Sequence, residues 1–303
     1  MLTPGHGAQA KHGLAAGDAA PARPDWTIDQ GWAHYSAAEH AVWKTLFDRQ
    51  SRLLPGRACD AFVRGLAGLP IDAHQIPDFR RLSDKLMQRT GWQVVAVPGL
   101  VPDAVFFEHL AHRRFPAGQF IRQPHQLDYL EEPDVFHDVF GHVPLLLHPA
   151  IADFIQAYGE GGLRAQRLGM LDKLARVYWY TVEFGLVQQA DGLRLYGAGI
   201  ASSATESRFC LDDASPHRLG FDVERVMRTL YRIDDFQECY FVVDNLDALL
   251  NLAQIDFAPL YQRAQALPEL QPGALLGSDR VITRGSGQHH ANRTNACATP
   301  TPP

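Results

Sequence analysis

Two histidines that lie five positions apart are the residues of this chain best suited to bind a metal. His137 and His142 stand in the largely apolar segment 134–144, DVFHDVFGHVP. On a regular α-helix, five residues turn a side chain by about 500°, so the two rings would point roughly 140° apart. We therefore expect Gly141 and Pro144 to break the helix and turn the second ring toward the first. The alternative is a pair of hydrogen-bonded core histidines.

A carboxylate in a second apolar segment is the candidate third ligand. Glu183 lies within residues 176–186, RVYWYTVEFGL. A carboxylate in apolar surroundings is costly unless it is paired with a cation or bound to one. Its partner would be either a metal ion or an arginine, for which the candidates are Arg122, Arg176 and Arg208.

Two histidines and one carboxylate suit two different metals. As a facial triad they leave positions open on ferrous iron for oxygen and a substrate. Zinc held by the same ligands would indicate a hydrolase. A metalloprotease, however, needs HExxH, and this chain has Asp138 after the first histidine and a step of five residues. A zinc site built from thiolates is not indicated, because no CxxC pair occurs among the four cysteines, Cys59, Cys210, Cys239 and Cys297.

Composition excludes several classes of function. The chain has 303 residues, of which 46% are hydrophobic and 20% charged, so it can bury a large core. Its net charge is −6 and its lysines and arginines are scattered, which argues against a nucleic-acid partner. No apolar run approaches the ~18 residues of a membrane span, and the first residues lack a signal-peptide pattern. We predict a cytoplasmic protein with neither nucleic acid nor membrane as a partner.

The elements that must position these side chains are mostly helices. A capping box at Ser36 and Glu39 begins an amphipathic helix. The β-branched run at 92–97 predicts a strand, residues 119–122 a second short strand, and residues 163–187 one long helix. The expected fold class is mainly α with small, discontinuous β elements.

The two ends of the chain differ in composition from its middle. Residues 1–24 are rich in Ala, Gly and Pro, and residues 271–303 are rich in Gly, Ser, Asn, Thr and Pro. Such segments bury too little apolar surface to repay the entropy of ordering them. We predict two disordered tails and one catalytic domain over residues 25–270. Because the ends carry no heptad repeat, we expect a monomer.

Three segments in one order resemble the pterin-dependent aromatic amino acid hydroxylases. They are HDVFGHVP from His137, YWYTVEFGL from Tyr178 and YGAGIASS from Tyr196. The resemblance runs from about Trp32 to about Leu260 and is closest to the bacterial members that hydroxylate phenylalanine. It implies the catalytic-domain fold of that family, one Fe²⁺, and a tetrahydropterin and O2 as co-substrates. The implied reaction converts L-phenylalanine to L-tyrosine, the first step of phenylalanine catabolism.

The resemblance also implies roles for individual residues. His137, His142 and Glu183 match the iron ligands, and Asp138 matches an acidic position near the pterin, where the family usually has Glu. Arg122 matches the arginine that receives the substrate carboxylate. The other matched positions orient that arginine (Asp134), form the amino-acid pocket (Trp179, Gly199, Ser202 and Val242), hold the pterin (Leu100, Val101 and Phe106), or lie elsewhere in the active site (Tyr129 and Tyr178).

Two positions bear on the choice of substrate. Trp179 and Val242 resemble the phenylalanine-hydroxylating members, since tryptophan hydroxylases tend to have Phe at the first position and tyrosine hydroxylases Asp at the second. The alternatives are hydroxylation of tryptophan, a zinc hydrolase that uses the same three ligands, and a non-catalytic sensor of an amino acid or a pterin. The intact ligand set argues against the sensor.

Overall fold

Helices make up most of the computed structural model, which describes residues 23–128, 130 and 132–292. This confirms the mainly helical fold class. Among the described residues, two π-helices occur, at Phe136–His142 and Trp179–Glu183. Short 3-10 helices lie at Trp32–His34, Pro124–Gln126 and Val143–Leu147. The α-helices are α1 (Ala37–Leu53), α2 (Asp60–Gly68), α3 (Phe79–Thr90), α4 (Asp103–Ala111), α5 (Pro149–Leu168), α6 (Leu171–Tyr178), α7 (Ala198–Ala201), α8 (Ala204–Asp212), α9 (Val223–Arg228), α10 (Ala248–Ala253) and α11 (Phe257–Ala266).

The strands form two separate sheets. Strands β1 (Gln93–Val97) and β2 (Arg114–Gly118) make a parallel pair. The second sheet has the order β4-β3-β6-β5-β7 and mixes parallel with antiparallel pairs. Its strands are β3 (Leu186–Gln189), β4 (Gly192–Leu195), β5 (His217–Gly220), β6 (Cys239–Val243) and β7 (Val281–Thr283).

Two local predictions agree with the structure and one differs from it. The capping box at Ser36 and Glu39 begins α1 as predicted. The strand predicted near residues 92–97 is β1. The strand predicted at residues 119–122 is wrong, because the backbone there bonds to the chain before the first π-helix instead. The Val135 N–H donates to the Phe120 carbonyl at 2.9 Å, while β2 ends at Gly118 beside the last residue of β1.

The single long helix predicted over residues 163–187 is wrong as well. The chain breaks after α5 at Gly169, whose φ of 68° is left-handed and whose N–H bonds to the carbonyls of Ala165 and Gln166. Glycine adopts this conformation without a steric penalty, and it commonly ends helices in this way. Helix α6 then begins at Leu171 and widens into the second π-helix. The carboxylate of Glu183 is therefore presented by a π-helix.

Residues 271–292 are ordered, against the prediction of a disordered tail from residue 271. Strand β7 extends the larger sheet by pairing antiparallel with β5. Asp279 forms an ion pair with Arg225 at 2.9 Å, and both side chains are buried. The amino-acid composition of this segment gives no indication of these partners, which lie far away in the chain. Residues 1–22 and 293–303, which make up the rest of the two predicted tails, lie outside the described residues.

One contiguous cluster of buried apolar side chains runs through the described part of the chain, from α1 to α11. The first π-helix lies within it and contacts α7 and α1, and the second contacts α7 and β6. Both segments that carry the predicted ligands are thus anchored in the core. Among the described residues, no helix combines the length and the apolar character needed to cross a lipid bilayer.

Candidate active site

The structure brings His137, His142 and Glu183 together in the buried core. The Nε2 atoms of the two histidines are 3.2 Å apart. The carboxylate oxygens of Glu183 lie 3.3 Å from Nε2 of His142 and 3.6 Å from Nε2 of His137. Each residue points a possible ligand atom at the same small volume, and these atoms all lie within 4.8 Å of one another. This is the arrangement of a three-ligand metal site.

The histidines converge for a different reason from the predicted one. The segment Phe136–His142 continues as a π-helix, whose backbone hydrogen bonds join residues five apart. Five positions therefore bring His137 and His142 onto the same face, and no break is needed between them. Gly141 serves close packing instead, because a Cβ there would lie 2.8 Å from the Ala198 carbonyl of α7. Pro144 lies in the 3-10 helix that follows.

Ser202 fixes the tautomer of His137. The Ser202 hydroxyl donates to the Ala198 carbonyl at 2.8 Å, so its oxygen is left to accept the Nδ1–H of His137 at 3.0 Å. With the proton on Nδ1, the lone pair on Nε2 points at the other two ligands. Hydrogen bonds of this kind orient metal-binding histidines in proteins. The sequence predicts Ser202 for the substrate pocket and gives no sign of this contact with His137.

The electrostatics also favour a bound cation. Burial raises the pKa of Glu183, but the adjacent His142 and His137 outweigh it and bring that pKa down to about 2. Burial lowers the pKa of His137 to about 4. At neutral pH the pair is therefore a carboxylate and a neutral imidazole, the states that bind metals. Oxygen Oε2 of Glu183 is buried and has no hydrogen-bond partner among the described residues, which fits a cation at this point.

None of the three candidate arginines pairs with Glu183 in the described structure. Arg122 pairs with Asp134, Arg176 with Glu269, and Arg208 donates to the carbonyl of Ala204, one turn earlier on α8. The ion-pair alternative for Glu183 is therefore wrong. A metal held by His137, His142 and Glu183 is the arrangement that the residues fit.

Arg122 and Asp134 form a second buried polar unit beside the first. The guanidinium donates twice to the Asp134 carboxylate, from Nε and from Nη2, both at 2.8 Å. Burial raises the pKa of Asp134, but the hydrogen bonds and the charge of Arg122 lower it by more. The pKa is therefore below its usual value, and the carboxylate stays charged. Asp134 also accepts the backbone N–H of His137 at 3.1 Å. One carboxylate thus fixes both the arginine and the start of the first π-helix.

A cavity opens in front of the three ligands, and all three predicted pterin-binding residues line it. Leu100, Val101 and Phe106 lie on its wall together with Asp138 and Tyr178. The ring of Tyr178 packs edge-on against Phe106 and stacks beside His142.

Asp138 contributes a polar group to this wall. Its Oδ2 accepts the N–H of Gly118 at 2.8 Å. Burial raises the pKa of Asp138 to about 6. An aromatic ring, backbone groups and a carboxylate together suit a flat heterocycle that carries N–H donors.

The remaining predicted substrate residues lie around the second π-helix. Trp179 stacks on Tyr231 at 4.2 Å and donates its indole N–H to Gln237 at 3.0 Å. Gly199 leaves room for the side chain of Glu183, since a Cβ at position 199 would lie 3.2 Å from Oε2 of that residue. Neither Trp179 nor Gly199 lines the cavity in front of the triad.

Two further positions complete the comparison with the sequence. Val242 is fully buried in β6, beside Leu186 of β3 and Gly220 of β5. Tyr129 lies outside the described residues.

The contacts of Trp179 with Tyr231 and Gln237 were not predicted, because they come from a loop more than 50 residues further along the chain.

Comparisons with known proteins agree with this geometry. The family model for biopterin-dependent aromatic amino acid hydroxylases matches residues 30–264. The phenylalanine-4-hydroxylase of Caulobacter vibrioides is 61% identical over 274 residues, which cover 90% of this chain and 93% of that protein. That of Ralstonia nicotianae is 58% identical and covers 89% and 86%, respectively.

A solved structure leads to the same family. The iron- and phenylalanine-bound phenylalanine hydroxylase of Chromobacterium violaceum superposes with a TM-score of 0.82 at 54% identity. The match covers 86% of this chain and 94% of that one. Fold, triad, family model and relatives agree, and this chain belongs to the family of biopterin-dependent aromatic amino acid hydroxylases.

Proposed function

We propose that this chain is a phenylalanine 4-monooxygenase, which uses Fe²⁺, a tetrahydropterin and O2 to convert L-phenylalanine to L-tyrosine. The observation that carries the proposal is the buried set His137, His142 and Glu183, which opens onto a cavity lined by Phe106. The relatives named phenylalanine-4-hydroxylase and the neighbour with bound iron and phenylalanine support the choice of metal and substrate.

His137, His142 and Glu183 would hold the iron. His137 and His142 would each donate a lone pair from Nε2, and Glu183 would supply the negative charge. When bound, the iron and the pterin together supply the two electrons and the activation of O2 that ring hydroxylation requires. Ser202 would orient His137, and burial limits the access of water to all three ligands.

Phe106 and Asp138 would position the pterin. The ring of Phe106 offers a flat apolar face, and its edge-on contact with Tyr178 limits how far it can turn. Leu100 and Val101 line the same wall, and their backbone groups would bond to the polar edge of the heterocycle. The Asp138 carboxylate can accept N–H groups of that heterocycle, and the Gly118 N–H holds it in place.

Arg122 would receive the carboxylate of the amino acid. Two of its five N–H groups bond to Asp134, and the remaining three include both on Nη1. The Asp134 carboxylate holds the guanidinium plane, so substrate binding would cost little side-chain entropy. Trp179, Gly199, Ser202 and Val242 remain predictions for the amino-acid pocket, as do a monomeric state, a cytoplasmic location and a single catalytic domain.

The test is turnover by the purified full-length chain after its metals have been removed. With Fe²⁺, a tetrahydropterin and air, we expect tyrosine to form from phenylalanine, with about one pterin oxidised per tyrosine when the reactions are coupled. Tryptophan should react more slowly under the same conditions, and protein loaded with Zn²⁺ should form no tyrosine. If the iron-loaded protein forms no tyrosine, the proposal is refuted. If it turns over tryptophan faster than phenylalanine, tryptophan is the substrate instead.

A further inference from the structure

A second cluster of metal-binding side chains lies outside the active site. His289 Nε2 is 3.1 Å from Oδ1 of Asp235, and His290 Nδ1 is 3.4 Å from Oδ2 of the same carboxylate. Among the described residues, Asp235, His289 and His290 are the one group besides the active-site triad whose possible ligand atoms all lie within 4.8 Å of one another. Neither the sequence motifs nor the proposed reaction uses these three residues.

The spacing of these atoms matches a coordination shell. Ligand atoms about 2.1 Å from a tetrahedral zinc ion lie roughly 3.4 Å from each other. The two nitrogen–oxygen distances, 3.1 Å to Oδ1 and 3.4 Å to Oδ2 of Asp235, are close to that value, and a bound ion would replace the hydrogen bond that the shorter one forms. Imidazole and carboxylate ligands suit zinc and the neighbouring divalent transition metals. The side chain of Asp235 is 12% exposed, and those of His289 and His290 are 29% and 10% exposed, so a small ion can enter from one side.

The backbone places the two histidines here independently of any ion. The Ser286 N–H bonds to the Ala214 carbonyl and the Gly287 N–H to the Ser215 carbonyl, both at 2.9 Å. The backbone N–H of His289 then donates to the Ser215 hydroxyl at 3.0 Å. The segment is thus held against the loop before β5. The two histidine rings are therefore close together before any ion binds.

The surroundings also restrict the side chains. The ring of His289 packs against Phe209 and Phe236, with centroids 5.2 and 5.3 Å away. Asp235 accepts the N–H of Phe236 at 2.8 Å. Because the carboxylate and the first histidine are both oriented before binding, an ion would meet a largely preformed site.

We propose that Asp235, His289 and His290 bind a second divalent metal ion of the zinc class. The ion joins residues 286–292 to the loop that precedes β6 and leaves its fourth position to water. It is separate from the iron of the active site, because the two sites share no ligand. Its role is structural, since it fastens residues 286–292 to the loop that precedes β6.

Zinc titration of the metal-free full-length chain tests this proposal. Calorimetry should give two zinc ions per wild-type chain, one per chain for His142→Ala or His290→Ala, and none for the double variant. His112→Ala is a matched control, because His112 is exposed and lies 3.4 Å from a single carboxylate, that of Glu108. This control should keep both ions. One ion in the wild type, or an unchanged second ion in His290→Ala, would overturn the proposal.

Hydrogen exchange gives a readout that does not depend on counting ions. In the His142→Ala background, where the active-site triad is disabled, zinc should slow amide exchange in residues 286–292 at least tenfold. Adding His290→Ala or Asp235→Asn should abolish that protection, and either variant suffices if the other folds poorly. Zinc binding that saturates only at millimolar concentrations, or exchange that zinc leaves unchanged, would show adventitious binding and overturn the proposal.

Discussion

Replacement of Arg122 by lysine tests how the amino-acid substrate is held. The guanidinium forms two hydrogen bonds of 2.8 Å with Asp134, which leaves Nη1 for the substrate carboxylate that we propose it binds. A lysine keeps the positive charge but offers one nitrogen, which cannot reproduce the two-pronged geometry toward either carboxylate. The change is conservative in charge, yet we expect it to be severe in effect.

The magnitude follows from the bonds that are lost. A hydrogen bond to a charged group contributes about 1.5–3 kcal/mol. Loss of one such bond to the substrate should raise the KM for phenylalanine roughly ten- to hundredfold. Loss of one bond to the fully buried Asp134 should also lower the free energy of unfolding by about 1–3 kcal/mol, and Tm by roughly 5 °C.

Steady-state kinetics measures the first effect. Phenylalanine and tetrahydropterin are varied separately at a temperature at which circular dichroism shows the variant to be folded, and iron is assayed in the same preparation. We expect the KM for phenylalanine to rise, while iron content and the KM for pterin stay near the wild-type values. Arg49→Lys is the matched control, because Arg49 forms an exposed pair with Asp128 at 2.8 Å. An unchanged KM for phenylalanine would place its carboxylate elsewhere, and loss of iron would assign Arg122 a role in supporting the ligands.

Three further changes test the supports of the site and of the fold. Ser202→Ala removes the acceptor for His137 Nδ1–H and should weaken Fe²⁺ binding about 10- to 100-fold in a chelator competition; unchanged affinity would contradict the tautomer argument. Deletion of residues 275–303 leaves buried Arg225 without its carboxylate and should cost about 3–5 kcal/mol in denaturant unfolding, whereas an unchanged midpoint would contradict its structural role. Burial raises the pKa of Glu206 from 4.5 to about 7, so between these values the folded chain holds a proton that the unfolded chain releases. Stability should fall as pH rises through that window, and Glu206→Gln should flatten the slope; an equal slope in the variant would contradict it.

The convergence of the three candidate ligands could be predicted from the sequence, but the backbone that presents them could not. His137, His142 and Glu183 stand out because polar groups are costly in apolar segments. A π-helix has no comparable signal, since its stability comes from packing against elements distant in the chain. His137 and His142 therefore converge as predicted, but through a π-helix and not through a break in an α-helix.

The tail prediction for residues 281–283 and the missed contacts of Trp179 have one physical cause. Both features depend on residues that are distant in the chain. Residues 281–283 look like a flexible tail by composition, yet they add a strand beside β5, more than 60 residues earlier. Trp179 carries no local signal for its contacts with Tyr231 and Gln237. Features predicted from local sequence signals, by contrast, agree with the structure. The capping box at Ser36 and the β-branched strand β1 depend on neighbours a few residues away.

We propose that Glu183 and the two histidines hold the iron on which tyrosine formation depends. Glu183→Gln keeps the size of this buried side chain and removes its negative charge. Glu224→Gln is the matched control, because Glu224 forms an ion pair with Arg263 on the surface at 2.7 Å.

The deciding measurement is bound iron and tyrosine formation in the same preparations of wild type, Glu183→Gln and Glu224→Gln, with circular dichroism to check folding. We expect folded Glu183→Gln to lose most of its iron and at least 99% of its turnover, and Glu224→Gln to match the wild type. Full iron content and full turnover in Glu183→Gln would contradict the account.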